Sequence, residues 1–393
     1  MKTNYSALVV SVMTAAVLSA CGGGGGGSSS STGTTTPTNP TTPTTPTTPT
    51  TPTTPTAPTT ATVVPFVTSV PTPTYTAEAL SAFNAINAAR KAAGVGLLAQ
   101  NALLDKAAWN HSNYMMLNDL NGNYAKTPGY GLSIPDPAYP EMGAHYEDPT
   151  WPGYTGHAPW ERHAYAGYTG PLVSAAGEIL NGLPWETTNG VDTGTMCVNN
   201  LLNTWYHRVS LLSQQMDVGI ALIPYDSTLQ ILGTNQTTTL KVATCAVEFG
   251  ALDKVQALPA GALVVYPVDG ATGAATGFYG EMPNPVPDLT VNGAAAGSPI
   301  TVMAGGKLLT VDQFTLTAGA NSPVAVRILV EPKSVIGSTT AVVSDPNQGF
   351  VGSEYVAAAF PLTALSAGTT YTATFKGKID GTVISKTWSF TTK

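Results

Sequence analysis

Residues 198–222 read VNNLLNTWYHRVSLLSQQMDVGIAL. Leu201, Leu202, Trp205 and Val209 recur at helical spacing, so a helix is expected over 198–212. Val218-Gly219-Ile220-Ala221-Leu222 then reads as a strand. Runs at 229–232 and 240–249 read as further strands, with Thr238 and Thr239 leading into the last. Upstream, Thr76 is placed to cap a helix through Leu80, Phe83, Ile86, Asn87 and Arg90, which Gly94 ends. A second helix is expected over 101–118, with Leu103, Leu104, Ala107, Ala108, His111, Tyr114 and Met115 on its apolar side. Residues 122–170 are rich in Gly, Pro, Tyr and Trp and read as loop. Helices around a small antiparallel sheet make 76–250 an α+β domain, expected as a three-layer α-β-α sandwich.

The five histidines of the chain all fall between positions 111 and 207, although charged residues are only 10% of the whole. Histidine and carboxylate are the usual materials of metal and proton-transfer sites. His207 sits in the helical run above, His145 heads the aromatic-rich stretch, and Glu178 follows Gly177 between them.

The N-terminus points to export. Lys2, an apolar run over 7–18, and then Leu18-Ser19-Ala20-Cys21 form a secretory signal over 1–20, too short to span a membrane. Cysteine directly after Leu-Ser-Ala resembles the bacterial lipobox, which implies lipidation of Cys21. Gly22 after the cysteine resembles the default of sorting to the outer membrane of a Gram-negative envelope. Residues 21–75 run from Gly and Ser into Thr-Thr-Pro repeats and have too few apolar residues to bury a core. At roughly 3.1 Å per residue, such a stalk would extend on the order of 150 Å.

Composition narrows the partners. The net charge is −7 with 16 Lys plus Arg and no basic cluster, which argues against nucleic acid. Cys197 and Cys245 remain after the anchor. An exported pair usually forms a disulfide, with a loop-closure effect of about 4 kcal/mol.

Residues 251–393 contain no histidine and read as all-β. Phe314, Leu316, Val324, Val326, Ile328 and Val330 alternate with period two, and Asp380-Gly381 is a hairpin turn between the last strands. Short strands between Gly, Pro and Asp turns suggest a β-sandwich. Its ending, Gly368-Thr369-Thr370-Tyr371 and Trp388-Ser389-Phe390-Thr391-Thr392, resembles bacterial immunoglobulin-like domains. A spacer or adhesive module is the natural role.

Across 76–250 an ordered set of residues carries a second resemblance. It runs Asn87 and Arg90, Gly94 and Leu97, Asn101, Leu104, Ala107-Ala108, His111-Ser112 and Met115. Glu161-Arg162, Ala166-Gly167-Tyr168, Gly177-Glu178, His207-Arg208, Leu211-Leu212 and Val218-Gly219-Ile220 complete it. This resembles the CAP superfamily (cysteine-rich secretory proteins, antigen 5 and pathogenesis-related 1), whose domain is also called SCP. The resemblance implies an α-β-α sandwich with a cleft of two histidines and two acidic residues. Carried over, Glu178 matches the acid of a Gly-Glu-Asn motif, with Ile179 in place of Asn. His207 matches the second cleft histidine and His145 the first. The fourth member is Glu161, with Glu147 as its local competitor.

Two imidazoles and one or two carboxylates could bind zinc or another divalent ion, with His145, His207 and Glu178 as ligands. They could equally pair with each other without metal. There is no His-Glu-x-x-His pair, no Gly-x-Ser-x-Gly elbow and no phosphate-cradling glycine loop. The sequence therefore favours an envelope-anchored binding protein for a lipid, glycan or protein. A metal-dependent hydrolase using Glu178 or Glu161 as base, and a structural or adhesive surface protein, are the alternatives. His111 is expected in packing, and His157 and His163 in exposed loop. Most of Tyr146, Trp151, Tyr154, Trp160, Tyr165 and Tyr168 are expected to form the loop's own core.

Overall fold

In the computed structural model, the described residues are 62–118, 145–169, 177–185, 192–230, 236–281, 283–319, 322–347 and 355–393. The signal segment, Cys21 and the stalk up to residue 61 lie outside them. The chain is a mixed α+β protein.

The folded part begins before residue 76. Strand β1 (Thr62–Val64) pairs in parallel with Lys254–Gln256. The fully buried side chain of Gln256 accepts from Val67 N–H and donates to the carbonyls of Leu97 and Gln215. Residues 62–75, expected as the end of the stalk, are thus docked, because a backbone partner and a buried amide satisfy their polar groups.

Helix α1 (Ala77–Ala93) has Glu78 in its first turn, Arg90 and Lys91 in its last, and Gly94 at φ 75° after its end. Those charges suit the helix dipole, and the left-handed stop suits glycine. Thr76 occupies the cap position, but its side chain makes no capping bond. Strand β2 (Ala99–Gln100) leads to α2 (Ala102–Leu117), which is capped by the Asn101 side chain accepting from Leu103 N–H. A short helix, α3 (Pro159–Ala166), follows within the stretch read as loop. Strand β3 (Gly177–Pro184) precedes α4 (Thr193–Leu202) and α5 (Trp205–Leu211). The long strands β4 (Asp217–Gln230) and β5 (Thr237–Gly250) then run antiparallel in unbroken register from Asp217↔Gly250 to Gln230↔Thr237.

The helix expected over 198–212 is therefore two helices. Thr204 is extended, and its hydroxyl donates to the Leu201 carbonyl at 2.8 Å, turning the chain between them. The apolar spacing continues across this break although Val198, Leu201 and Leu202 pack on the first sheet while Trp205 and Val209 pack against the second half. Local hydroxyl-to-backbone bonding is the reason Thr disfavours helix interiors.

The sheet order is β2-β4-β5-β3, with β2 parallel to β4 and the other pairs antiparallel. Alternation sorts its faces. Ile179, Leu183, Val218, Ile220, Cys245, Val247 and Phe249 pack with Ala79, Phe83 and Ile86 of α1 and Val198 and Leu201 of α4. On the other face Ala221 and Ala246 meet Ala108 of α2. The Cys197–Cys245 disulfide joins α4 to β5. Gly219 lies under α2, where a Cβ would sit 2.1 Å from the Leu104 backbone carbon. Gly219→Ala is expected to lose at least about 1–3 kcal/mol in urea unfolding, the usual cost of overpacking.

The second half contains two five-stranded sheets. In spatial order the first is Val342–Ser344, Val326–Val330, Val356–Pro361, Ile300–Ala304 and Leu263–Tyr266. The second is Ser322–Val324, Leu309–Ala318, Thr370–Ile379, Thr382–Thr392 and Ala271–Ala274. Val302, Val330 and Ala359 from one sheet pack with Phe314, Phe375, Trp388 and Phe390 from the other. Asp380 and Gly381, at φ 49° and 84°, form the expected two-residue turn between Ile379 and Thr382.

The two halves share a core. Trp205, Tyr206, Val209 and Leu212 pack against Leu258, Val264, Phe278, Met303, Leu329 and Phe360. Arg208, fully buried, donates to the carbonyls of Leu202 and Pro299 and to the Thr301 hydroxyl, and lies 4.4 Å over the Tyr266 ring.

Candidate functional site

The candidate site lies on the α2 face of the first sheet. Helix α2 buries Leu104, Ala107, Ala108, His111 and Met115, a spacing that turns His111 inward. Helix α3 is bracketed by Pro159 in its first turn and Gly167 at φ 98°, and its inner side carries Arg162 and His163. Glu178 of β3 stands opposite Glu248 of β5, and period two aims both at the same face. Residues 145–147 add His145 and Glu147.

These groups form one buried network. His111 Nδ1 lies 2.9 Å from Glu147 Oε1, and its Nε2 lies 3.9 Å from Glu178 Oε1. His145 Nδ1 lies 2.8 Å from Glu178 Oε1. Arg162 donates to the other Glu178 oxygen and to the His145 carbonyl at 2.9 Å. His163 Nε2 lies 2.7 Å from Glu248 Oε2.

Burial and charge set the protonation. Burial opposes ionisation of Glu178, but Arg162, His111 and the His145 hydrogen bond overcome it and hold its pKa well below the ordinary carboxylate range. Glu248 goes the other way: burial, then the Glu178 charge, raise its pKa well above that range. The pair therefore shares one negative charge, as close carboxylates do. Burial lowers His145, against the pull of Glu178, with repulsion from His207 and His111 adding to the fall. Burial pushes His163 down to about 4.

The lowered His163 has a directional consequence. Unfolded, the ring takes a proton below about pH 6.5; folded, it refuses one until about pH 4. Stability is therefore lost as pH falls through that window. Glu248, whose pKa is raised, contributes a slope of the opposite sign over the same range, so the His163 part is read as the difference between two proteins. In urea unfolding, the native protein minus His163→Asn should fall by about 2–3 kcal/mol between pH 7 and 4.5, and no change in that difference would contradict the assignment.

His145 and Glu178 are bonded directly, whereas His207 is linked to them only by its electrostatic effect on His145, and the three have unequal surroundings. His145 is 8% exposed and Glu178 has a fully buried side chain. His207 approaches from α5, close enough for its charge to depress His145. Its Nδ1 lies 2.8 Å from Glu281 Oε2 and 2.9 Å from Thr204 Oγ1. Glu161 is not in the network. It is exposed and accepts from the His157 backbone N–H at 2.8 Å, closing the start of its own helix. Glu147 takes the inner place. It is fully buried and accepts from Thr155 N–H at 2.6 Å as well as pairing with His111.

His111 packs as expected but also belongs to the polar network. His163, expected in exposed loop, is fully buried, because α3 turns it onto Glu248. His157 is half-buried, stacked 4.6 Å from Tyr146, and donates to the Glu147 carbonyl. Tyr146 and Tyr168 are buried, whereas Tyr154, Trp160 and Tyr165 are exposed, so aromatic content alone did not mark the core. Glu248 and Glu281 were not picked out from the sequence. Glu248 carried one signal, a lone acid inside the apolar strand Val247-Glu248-Phe249. Glu281 had none.

The protons on the two outer histidines follow from their partners. Glu178 is ionised and can only accept, so His145 donates from Nδ1. Thr204 Oγ1 gives its hydrogen to the Leu201 carbonyl, so it accepts from His207 Nδ1, as Glu281 does. Each ring, when neutral, keeps Nε2 as a lone-pair acceptor, and neither Nε2 has a partner among the described residues. A zinc site needs three or four protein ligands. Among the described residues no three His, Cys, Asp or Glu side chains form such a set. The physical reason is that Glu147, Glu178 and Glu248 are already engaged by His111, Arg162, His145 and His163. The donor set among the described residues therefore falls short of a zinc site.

Compared with known proteins, the chain matches no protein-family model and no curated protein.

Proposed function

We propose that the chain is a CAP/SCP-type binding protein carried on a lipid-anchored stalk at the bacterial envelope, with an immunoglobulin-like sandwich behind the cleft. The observation that carries this reading is the pair of outer histidines, each with Nδ1 tied to a carboxylate and Nε2 without a partner among the described residues. Two acceptors at the cleft suit a ligand that donates hydrogen bonds, which favours a hydroxyl-rich glycan among the lipid, glycan and protein candidates. The buried acids behind them orient the rings, as outer partners of histidine do elsewhere.

The hydrolase reading needs a basic carboxylate in the site. Arg162 and His145 hold Glu178 well below the ordinary range, which makes it a weak base, and Glu161 lies outside the network. No described helix is long and apolar enough to cross a membrane, so the proposed attachment rests on Cys21, outside the described residues. A glycan array probed with residues 62–393 should yield hits that weaken at least roughly tenfold in His145→Phe and His207→Phe, the loss of about one charge-assisted or well-placed hydrogen bond. An array with no hit, or hits indifferent to both variants, would overturn the reading.

A further inference from the structure

Glu281 lies in the second half of the chain, yet its carboxylate serves the first. One oxygen accepts from Trp205 N–H at 2.7 Å and from Tyr206 N–H at 3.1 Å. The other accepts from His207 Nδ1 at 2.8 Å, and from Tyr206 N–H at 3.1 Å. The side chain is 1% exposed. It therefore caps the first turn of α5, whose own cap residue Thr204 makes no such bond, and fixes the ring of His207. A second link runs beside it. Tyr206 donates to Asp345 Oδ1, and Asn347 donates to the Tyr206 oxygen at 3.0 Å and the Asn284 carbonyl at 3.0 Å.

We infer that Glu281 is the positioning residue of the cleft's second histidine, so that the cleft is composite and complete only while the β-sandwich is docked. The proposal rests on the reading of His207 as a cleft residue, but not on any particular ligand. The chemistry requires a group at this place that can only accept. His207 Nδ1–H, Trp205 N–H and Tyr206 N–H all point at the carboxylate, and an amide there would set its own N–H₂ against one of these donors. The second domain then acts as more than a spacer. Undocking it would release the imidazole and open the first turn of α5 together, and a ligand that needs His207 oriented would in turn favour the docked arrangement.

The test uses residues 62–393 without ligand. Long-range ¹H–¹⁵N spectra should show His207 in the Nδ1–H tautomer in the native protein. Glu281→Gln and Glu281→Ala should give a mixture of tautomers, and Trp205 and Tyr206 amide exchange should quicken roughly fivefold or more, as expected for a lost cap. Tyr206→Phe breaks the neighbouring link to Asp345 without touching His207, and should leave the tautomer intact. An unchanged tautomer in both Glu281 variants overturns the proposal. Equal scrambling in Tyr206→Phe also overturns it, since the interface as a whole would then hold the ring. Where Glu281→Ala fails to fold, Glu281→Gln keeps both readouts. A failed glycan array leaves these spectra unaffected, so the two readings fail separately.

Discussion

Arg162→Met is expected to destabilise the protein by about 3–5 kcal/mol, the usual cost of removing one partner from a buried ion pair. Arg162 is fully buried, and it is the cation that keeps Glu178 ionised with Glu147 at 3.8 Å. Without it, Glu178 would face Glu248 and Glu147 with only histidines to balance the charge. The carboxyl would take up a proton at neutral pH and could no longer serve reliably as acceptor for His145. Urea unfolding at pH 7 measures the loss. The double variant Arg162→Met, Glu178→Gln should recover a substantial part, because the two residues act as one unit. A loss below about 1 kcal/mol, or no recovery in the double variant, would mean that the network is solvated rather than charge-balanced. Glu248→Gln provides the contrast. Burial and the Glu178 charge push the Glu248 pKa up, towards the neutral form, so an amide there should cost less than Glu178→Gln.

The parts legible in the sequence were those governed by local pattern. The inner faces of α1 and α2 (apart from Leu103, which is 40% exposed), the strands at 218 and 240, the disulfide partners and the Asp380-Gly381 turn all follow from periodicity, chemistry or a backbone requirement. His145 and Glu178 stand together in the sequence reading, and the structure joins them at 2.8 Å. The fourth acid was not decidable. Glu147 and Glu161 are chemically identical, and only the path of 145–161 turns one inward to His111 and the other onto a helix start. Helix α3 was missed because eight residues with Pro, Trp and Tyr give little periodic signal, although Pro159 and Gly167 marked its ends. Strand β3 was missed because Asn181 and Gly182 interrupt its apolar alternation. The docking of 62–75 and the reach of Glu281 depend on residues 189 and 74 positions away, and no local pattern encodes that.

Trp205→Ala should reveal how far the two halves are one folding unit. Trp205 is 1% exposed and its ring stands edge-on to Phe360 of the sandwich at 5.7 Å and stacks 5.0 Å from Tyr206. Emptying that place should cost about 3–5 kcal/mol, as truncation of a buried aromatic usually does. The informative quantity is where the loss appears. The shared core includes residues from both halves, so the native protein should melt in one calorimetric transition and the variant in one transition at lower temperature. If the halves were merely tethered, the heat absorbed would divide into two peaks, and the mutation would move only the one containing α5. The distinction reaches the proposed cleft, because α5 carries both Trp205 and His207. A single transition means that the sandwich cannot be removed as a neutral spacer. Deleting 251–393 would expose the apolar side of α5 and remove Glu281 together, so loss of binding in such a truncation would report a damaged cleft as much as a missing adhesive surface.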